Sequence, residues 1–113
     1  MTQIPNIKLS SGDLLPRLGM GTWLIGGART KDPNNDDAGQ IQGLHDALDQ
    51  GFTWLRTAQN YADGYCEELV GMVIKDYDRN NLFMSSAVNQ NYALSRDLLI
   101  DHAKQSLNRL RIS

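Results

Sequence analysis

Residues 47–61 read ALDQGFTWLRTAQNY, and this stretch decides the fold. Ala47 and Leu48 close an amphipathic run that Gly51 interrupts. Thr53 to Thr57 then form a short apolar-rich segment, and polar residues lead on to Tyr61. Helix, glycine stop, strand and loop follow one another without a spare residue. That order is the repeat unit of a sheet whose strands alternate with helices.

The same grammar extends both ways. Upstream, Ile41, Leu44, Ala47 and Leu48 recur at three and four, the spacing of one helical face. The helix should begin near Asp36 or Asp37, either of which can cap exposed backbone donors. Gly51 is suited to end it in a left-handed conformation. Downstream, Leu69, Val70, Val73, Ile74 and Tyr77 predict the buried side of a helix over 65–77, and LFMSSAV predicts a strand over 82–88. Ser95 caps a third helix with Asp97 and Asp101 in its first turns. Its apolar stripe is Leu98, Leu99, His102, Ala103, Ser106, Leu107 and Leu110. At the start, the turn chemistry of Ser11-Gly12-Asp13 predicts a hairpin of 7–9 against 14–16, with Pro16 at an edge or terminus. LGMGTWLIGG then predicts a strand over 19–23 that opens into a glycine-bearing loop. The expected fold is α/β: three parallel strand-helix units with right-handed connections, preceded by the hairpin. The hairpin cap occupies 1–18 and the strand-helix units 19–113.

Composition narrows the function classes. A net charge of −2, from 11 bases and 13 acids, gives no broad electrostatic footprint for nucleic acid. No apolar run is long enough to span a membrane, and the first residues lack a secretory pattern. The single Cys66 suits a reducing compartment, so a cytoplasmic location is expected. Glu67 and Glu68 beside it disfavour a thiolate. His45 and His102 read as helix-face residues, and no zinc spacing occurs.

Parallel sheets gather chemistry at the C-terminal ends of their strands. Three places qualify: Gly21-Thr22-Trp23, the stretch from Arg56 to Tyr61, and the stretch from Ala87 to Gln90. Tyr61 can act as a general acid if a positive charge lies near its hydroxyl. The usual source is a lysine on a neighbouring strand, itself held by an acid. Here Arg56 and Ala87 stand at the two supporting positions. Arg56 can polarise Tyr61, but it cannot accept a proton or orient an amine. The alternative is that Tyr61 is an aromatic plug between loop and helix. GMGTWLIGG lacks the G-x-G-x-x-G spacing of a dinucleotide site, and no phosphate-loop lysine is present. Trp23 is either a pocket wall or a shield for the loop.

With these residues in place, the chain resembles the N-terminal part of the aldo-keto reductase family. The likeness runs through the hairpin, LGMGTW, ALDQGFTWLRTAQNY, EELVG and LFMSSAV. It implies the first three of eight strand-helix units of a TIM-type (β/α)8 barrel that reduces aldehydes and ketones with NADPH. The family's catalytic tetrad is Asp, Tyr, Lys and His. Arg56 stands at the aspartate position, Tyr61 at the tyrosine and Ala87 at the lysine. The histidine belongs to a fourth strand that this chain lacks. Gly21, Thr22 and Trp23 correspond to the cofactor and substrate mouth, while most of the cofactor site comes from later strands. Met72 and Val73 depart from the family's usual pair after the helix-two glycine.

Two charged positions replaced in an intact frame imply a catalytically inactive fragment, engineered or truncated, that acts as a folding or assembly unit. No cofactor is expected in this chain, although NADPH serves the parent family. A residual or redesigned oxidoreductase using Tyr61 and a complementing half that binds the rest of the barrel are the alternatives, and a natural short protein stays open. Three strands cannot close a barrel. They leave an inner face, with Trp54, Phe83 and Met20, that lacks its opposite wall. A homo-oligomer or a pairing with a complementary barrel fragment is therefore expected, with neither nucleic acid nor membrane as partner.

Overall fold

The structure is a computed structural model and describes residues 3–92 and 94–113. It opens with an antiparallel hairpin of β1 (Asn6–Lys8) and β2 (Leu14–Pro16), in which Ile7 faces Leu15. The first strand ends one residue earlier than its apolar run suggests. Leu9 belongs to the turn: its N–H donates to the Asp13 carbonyl at 2.8 Å, and its carbonyl accepts from Gly12 at 2.9 Å.

A three-stranded parallel sheet follows, ordered β3 (Met20–Gly21), β4 (Trp54–Arg56) and β5 (Phe83–Ser85). Helices α1 (Asp37–Asp49), α2 (Tyr65–Ile74) and α3 (Arg96–Leu110) alternate with these strands. The strands are shorter than the apolar runs that signal them. Pairing nevertheless continues past their ends: Thr22 donates to the Arg56 carbonyl at 3.1 Å, Thr57 to Ser85 at 2.8 Å and Gln59 to Ala87 at 2.9 Å.

The caps lie where the side chains predict. The Asp36 carboxylate accepts from the Gly39 N–H at 3.0 Å, and the Ser95 hydroxyl from the Leu98 N–H at 3.2 Å. Gly51 follows α1 at φ +99°. Helix α2 stops at Ile74 instead of Tyr77. Its exit tightens into bonds three residues long, Asp76 to Val73 and Tyr77 to Ile74. Tyr77 still lies half-buried, with its hydroxyl 3.0 Å from both His45 Nδ1 and the Asp49 carboxylate.

One core fills the space between the sheet and its helices. Leu55 is wholly buried among Leu44, Leu48, Val70, Val73 and Leu110. The parallel register sets Met20 beside Leu55 and Met84, so all three share the helix-side face. Met20 therefore packs into this core and does not join Trp54 and Phe83 on the inner face. Alternation leaves Gly19, Gly21, Trp54, Arg56, Phe83 and Ser85 opposite. A Cβ on Gly19 would come within 2.7 Å of the Trp54 ring, so glycine makes room for the indole. That indole donates to the Ser85 hydroxyl at 3.1 Å and meets Phe83 edge-on at 6.2 Å.

Helix α3 is held on α2 by charge. Glu67, fully buried, accepts from Arg109 Nε at 2.7 Å and from the Ser86 hydroxyl at 2.6 Å. Two glycines permit the approach. A Cβ on Gly71 would sit 2.5 Å from the Arg109 carbonyl, and one on Gly64 would sit 2.9 Å from Arg109 Nε. The expected apolar stripe of α3 is only partly buried. Ser106 and Leu110 are buried and Ala103 half-buried, whereas Leu98, Leu99 and Leu107 are 44%, 43% and 38% exposed. The sheet ends at β5 among the described residues, so no strand lies beneath that flank.

Removing one partner from a buried ion pair strands the other charge. Arg109→Leu is expected to cost about 3 kcal/mol, read as a lowered urea midpoint, and adding Glu67→Gln should recover part of that loss.

Candidate functional site

The C-terminal ends of β3, β4 and β5 bring the three expected stretches together. Gly21, Arg56 and Ser85 are register partners across the sheet, and Ala87 lies two residues beyond Ser85, where its carbonyl still accepts from Gln59. Arg56 thus ends β4 and Ala87 lies two residues past β5, and both are exposed. Among the described residues the Arg56 guanidinium makes no ion pair. A cation open to water needs no buried counter-charge, so this position accepts arginine without the penalty a sealed interior would impose.

Tyr61 starts the turn that leads from β4 into α2. Ala62 and Asp63 take left-handed angles, φ 51° and 53°, and Gly64 follows at 91°. The Ala62 N–H donates to the Ala28 carbonyl at 2.8 Å, which pins this turn to the loop after β3. Tyr61 is half-buried and packs against the core. Trp23 meets it edge-on, with ring centroids 5.0 Å apart and planes at 62°. Trp23 itself is 49% exposed. The indole thus acts as a wall, with one edge on Tyr61 and the remainder facing the mouth.

Thr22 is wholly buried, and its N–H and hydroxyl both donate to the Arg56 carbonyl at 3.1 Å. It is a strut between strands with no donor left for a ligand. The glycine loop is equally committed: Gly26 N–H donates to Gln40 Oε1 at 2.9 Å, and Gly27 N–H to the Leu24 carbonyl at 3.3 Å. A phosphate cradle needs free backbone donors converging on an anion. These residues do not fit a dinucleotide phosphate, which leaves Gly21 and Trp23 as the exposed members of the expected mouth.

Cys66 is buried under the same strand ends. Its thiol donates towards Thr22, 3.2 Å from the hydroxyl, and lies 3.5 Å from Thr57 Oγ1. Burial pushes the thiol above its ordinary value, against the opposing effect of the threonine hydrogen bonds. It is a packing residue and not a nucleophile.

A second cluster was hidden in the sequence. Buried Gln59 accepts from the Asn89 N–H at 3.2 Å and hydrogen-bonds His102 Nδ1 through its amide nitrogen. Tyr92 stacks on His102 at 4.2 Å. These groups, with Trp23, Arg29 and Asn60, line a polar groove of about 700 Å³. Arg56, Tyr61 and Ala87 are not part of that groove. His102 lies on a helix face as expected, but its partners come from two distant loops. Only the tertiary fold joins them.

The loop carrying Trp23 is anchored by a separate polar lock. The Tyr65 hydroxyl donates to the Asp37 carboxylate at 2.5 Å, and Lys31 Nζ lies 3.9 Å above the Tyr65 ring. The Tyr65 hydrogen bond, helped by the Asn35 amide, holds the Asp37 carboxyl below its ordinary value, and the same bond raises the Tyr65 phenol.

Residues 17–113 match the model of the aldo/keto reductase family. Aldo-keto reductase YhdN of Bacillus subtilis is 36% identical over 103 residues, which cover 84% of this chain and 30% of YhdN. Methylglyoxal reductase DkgA of Escherichia coli is 29% identical over 102 residues, covering 88% of this chain and 32% of DkgA. Among solved structures, the thermostable aldo-keto reductase Tm1743, in complex with the inhibitor epalrestat, superposes with a TM-score of 0.90 at 37% identity. That match covers 96% of this chain and 39% of Tm1743. The silkworm (Bombyx mori) reductase AKR2E5, complexed with NADPH, gives 0.80 at 29% identity over 99% of this chain and 34% of its own. The chain spans about a third of the length of the curated relatives it matches.

Two outcomes follow from the site. Arg56→Leu should change stability by less than about 0.5 kcal/mol, because the side chain is exposed, while lowering the protein concentration at which precipitation begins. For the lock, the Asp37 contribution is fully present above its unfolded value near 4 and is lost as pH falls through its lower folded value. The Tyr65 contribution is present below about 10 and is lost as pH rises through its raised value. Asp37→Asn is expected to flatten both limbs of a plot of urea midpoint against pH.

Proposed function

We propose, from the premise that this chain belongs to the aldo/keto reductase family, that it is a catalytically silent segment supplying the first strand-helix units of a barrel-type assembly. The observation that carries this reading is the pair of substitutions at the strand exits. Arg56 ends β4 and Ala87 lies two residues past β5, at the positions that the family resemblance gives to its aspartate and its lysine, and among the described residues Arg56 makes no ion pair. Proton donation by tyrosine requires its phenol to be brought towards neutrality by a fixed charge, and the donated proton to be replaced afterwards. Arg56 offers a permanent charge but no relay. Ala87 offers neither.

Cofactor handling points the same way. The glycine loop spends its backbone donors on Gln40 and Leu24, and Thr22 spends both of its donors on Arg56. The relatives are about three times as long, so the bulk of any cofactor and substrate site of a complete barrel would come from other residues. What this chain retains is the frame: the core, the caps and the α2–α3 ion pair.

A steady-state assay with NADPH and an aromatic aldehyde tests this reading. Turnover by the chain alone is expected below about 0.01 per second, two orders under the low end of ordinary enzyme rates. The double variant Arg56→Asp, Ala87→Lys should stay equally silent when the chain is alone, since it restores charges and not the cofactor site. Cofactor-dependent turnover above that level by the unaltered chain would overturn the proposal.

A further inference from the structure

We propose that Gln59 and His102 form a proton-operated switch in the wall of the polar groove. With His102 neutral, Gln59 holds the loop after β5 by the Asn89 N–H. With His102 protonated, the Gln59 carboxamide turns over, its oxygen passes to the imidazolium, and the loop is released. The switch needs no catalysis and operates whether or not the segment is silent.

Hydrogen-bond polarity fixes the neutral state. The Asn89 N–H can only donate, so the Gln59 atom it meets at 3.2 Å is the oxygen, Oε1. The amide nitrogen is left facing His102 Nδ1. An NH2 group donates and does not accept, so Nδ1 carries the lone pair and Nε2 the proton. Gln59 is buried, and its backbone N–H donates to the Ala87 carbonyl at 2.9 Å, so the residue stays in place and only its carboxamide turns. Asn89 organises the turn beyond it. Its side chain accepts from the Asn91 N–H at 3.0 Å, and its carbonyl from the Tyr92 N–H at 2.9 Å. Whatever holds Asn89 therefore places Tyr92, which lines the groove.

An imidazolium carries N–H on both nitrogens. Its Nδ1–H meets the Gln59 NH2 donor against donor. Turning the carboxamide gives Nδ1–H an oxygen and moves the clash to the Asn89 N–H. A hydrogen bond to an ion is roughly twice as strong as a neutral one, so the oxygen goes to His102. Asn89 is only half-buried and Gln90 and Asn91 are exposed, so the freed N–H can reach water. The other groups around His102 offer it no replacement for Gln59. Arg29 after β3, Asp63 before α2, Tyr92 and Arg109 line the groove with it. Both arginines are cations, and Arg109 is committed to Glu67. Asp63 is exposed and makes no ion pair among the described residues, and water screens its charge. Tyr92 stacks on the ring at 4.2 Å and accepts it in either charge state. Along α3, Asp101 and Lys104 flank His102 with opposite charges and are exposed.

Nuclear magnetic resonance of the whole chain tests the switch. At about pH 8 the His102 ring should be the Nε2–H tautomer, read from its ring-nitrogen shifts. Between about pH 8 and about pH 5, the span in which histidine changes charge, hydrogen-exchange protection of the Asn89 amide is followed after correction for the intrinsic rate. It should fall about fivefold, the worth of one neutral hydrogen bond. That fall should share its midpoint with the His102 ring shifts. His102→Asn, which takes up no proton, should abolish it. Gln59→Glu should abolish it as well, because a carboxylate accepts from Asn89 and His102 at once, and it should move the neutral ring to the Nδ1–H tautomer. An Nδ1–H tautomer in the unaltered chain at about pH 8 would overturn the proposal. So would Asn89 protection that ignores the His102 titration, or an equal fall in His102→Asn. The first two readings need no variant, so a substitution that fails to fold leaves the test decisive.

Discussion

A carboxylate removed from water must be met by charge and hydrogen bonds, and Glu67 imposes that requirement on this fold. It lies in the first turn of α2, fully buried, and among the described residues Arg109 and Ser86 are the side chains that reach it. Because Arg109 comes from the last turn of α3 and Ser86 from the exit of β5, one side chain fixes the relative position of a helix pair and a strand. Gly64 and Gly71 are the steric counterpart, since any Cβ there would push Arg109 off its partner. Desolvation makes such a pair a weak source of net stability and a strong source of uniqueness of geometry: misplaced alternatives leave an unpaired charge in a dry site.

That constraint lies on the helix side of the sheet, whereas Arg56 lies on the other. Strand alternation separates them. Leu55 points into the core, and its neighbours Trp54 and Arg56 point away from it. The exposed Arg56 side chain therefore takes no part in the packing between sheet and helices, so on the proposed reading the framework is kept whatever group stands there.

The alternation of strands and helices was legible because local chemistry specifies it. Asp36, Ser95 and Gly51 act within a few residues of themselves, and the apolar spacing of Leu44, Leu48, Val70 and Val73 needs no tertiary knowledge. The face taken by Met20 was not legible. A two-residue strand carries no period of its own, and only its register with Leu55 and Met84 assigns it to the core. The stripe on α3 misled for another reason. Helical spacing shows which residues share a side but not whether anything covers it, so Leu98, Leu99 and Leu107 look like core and stand in water. At the candidate site, Tyr61, Arg56 and Ala87 were singled out through their neighbours along the chain. The grouping of Gln59, Tyr92 and His102 depends on loops far apart in sequence and left no local trace. Thr22, expected at the mouth, became a strut because its short hydroxyl reaches the carbonyl of Arg56.

The span between Glu67 and Arg109, 42 residues, also governs the order of events during synthesis. Glu67 leaves the ribosome well before its counter-charge, so burial of α2 ahead of Arg109 would leave an unpaired carboxylate in a dry site. The carboxylate that fixes the packed geometry is thus also the group that opposes packing of α2 on its own.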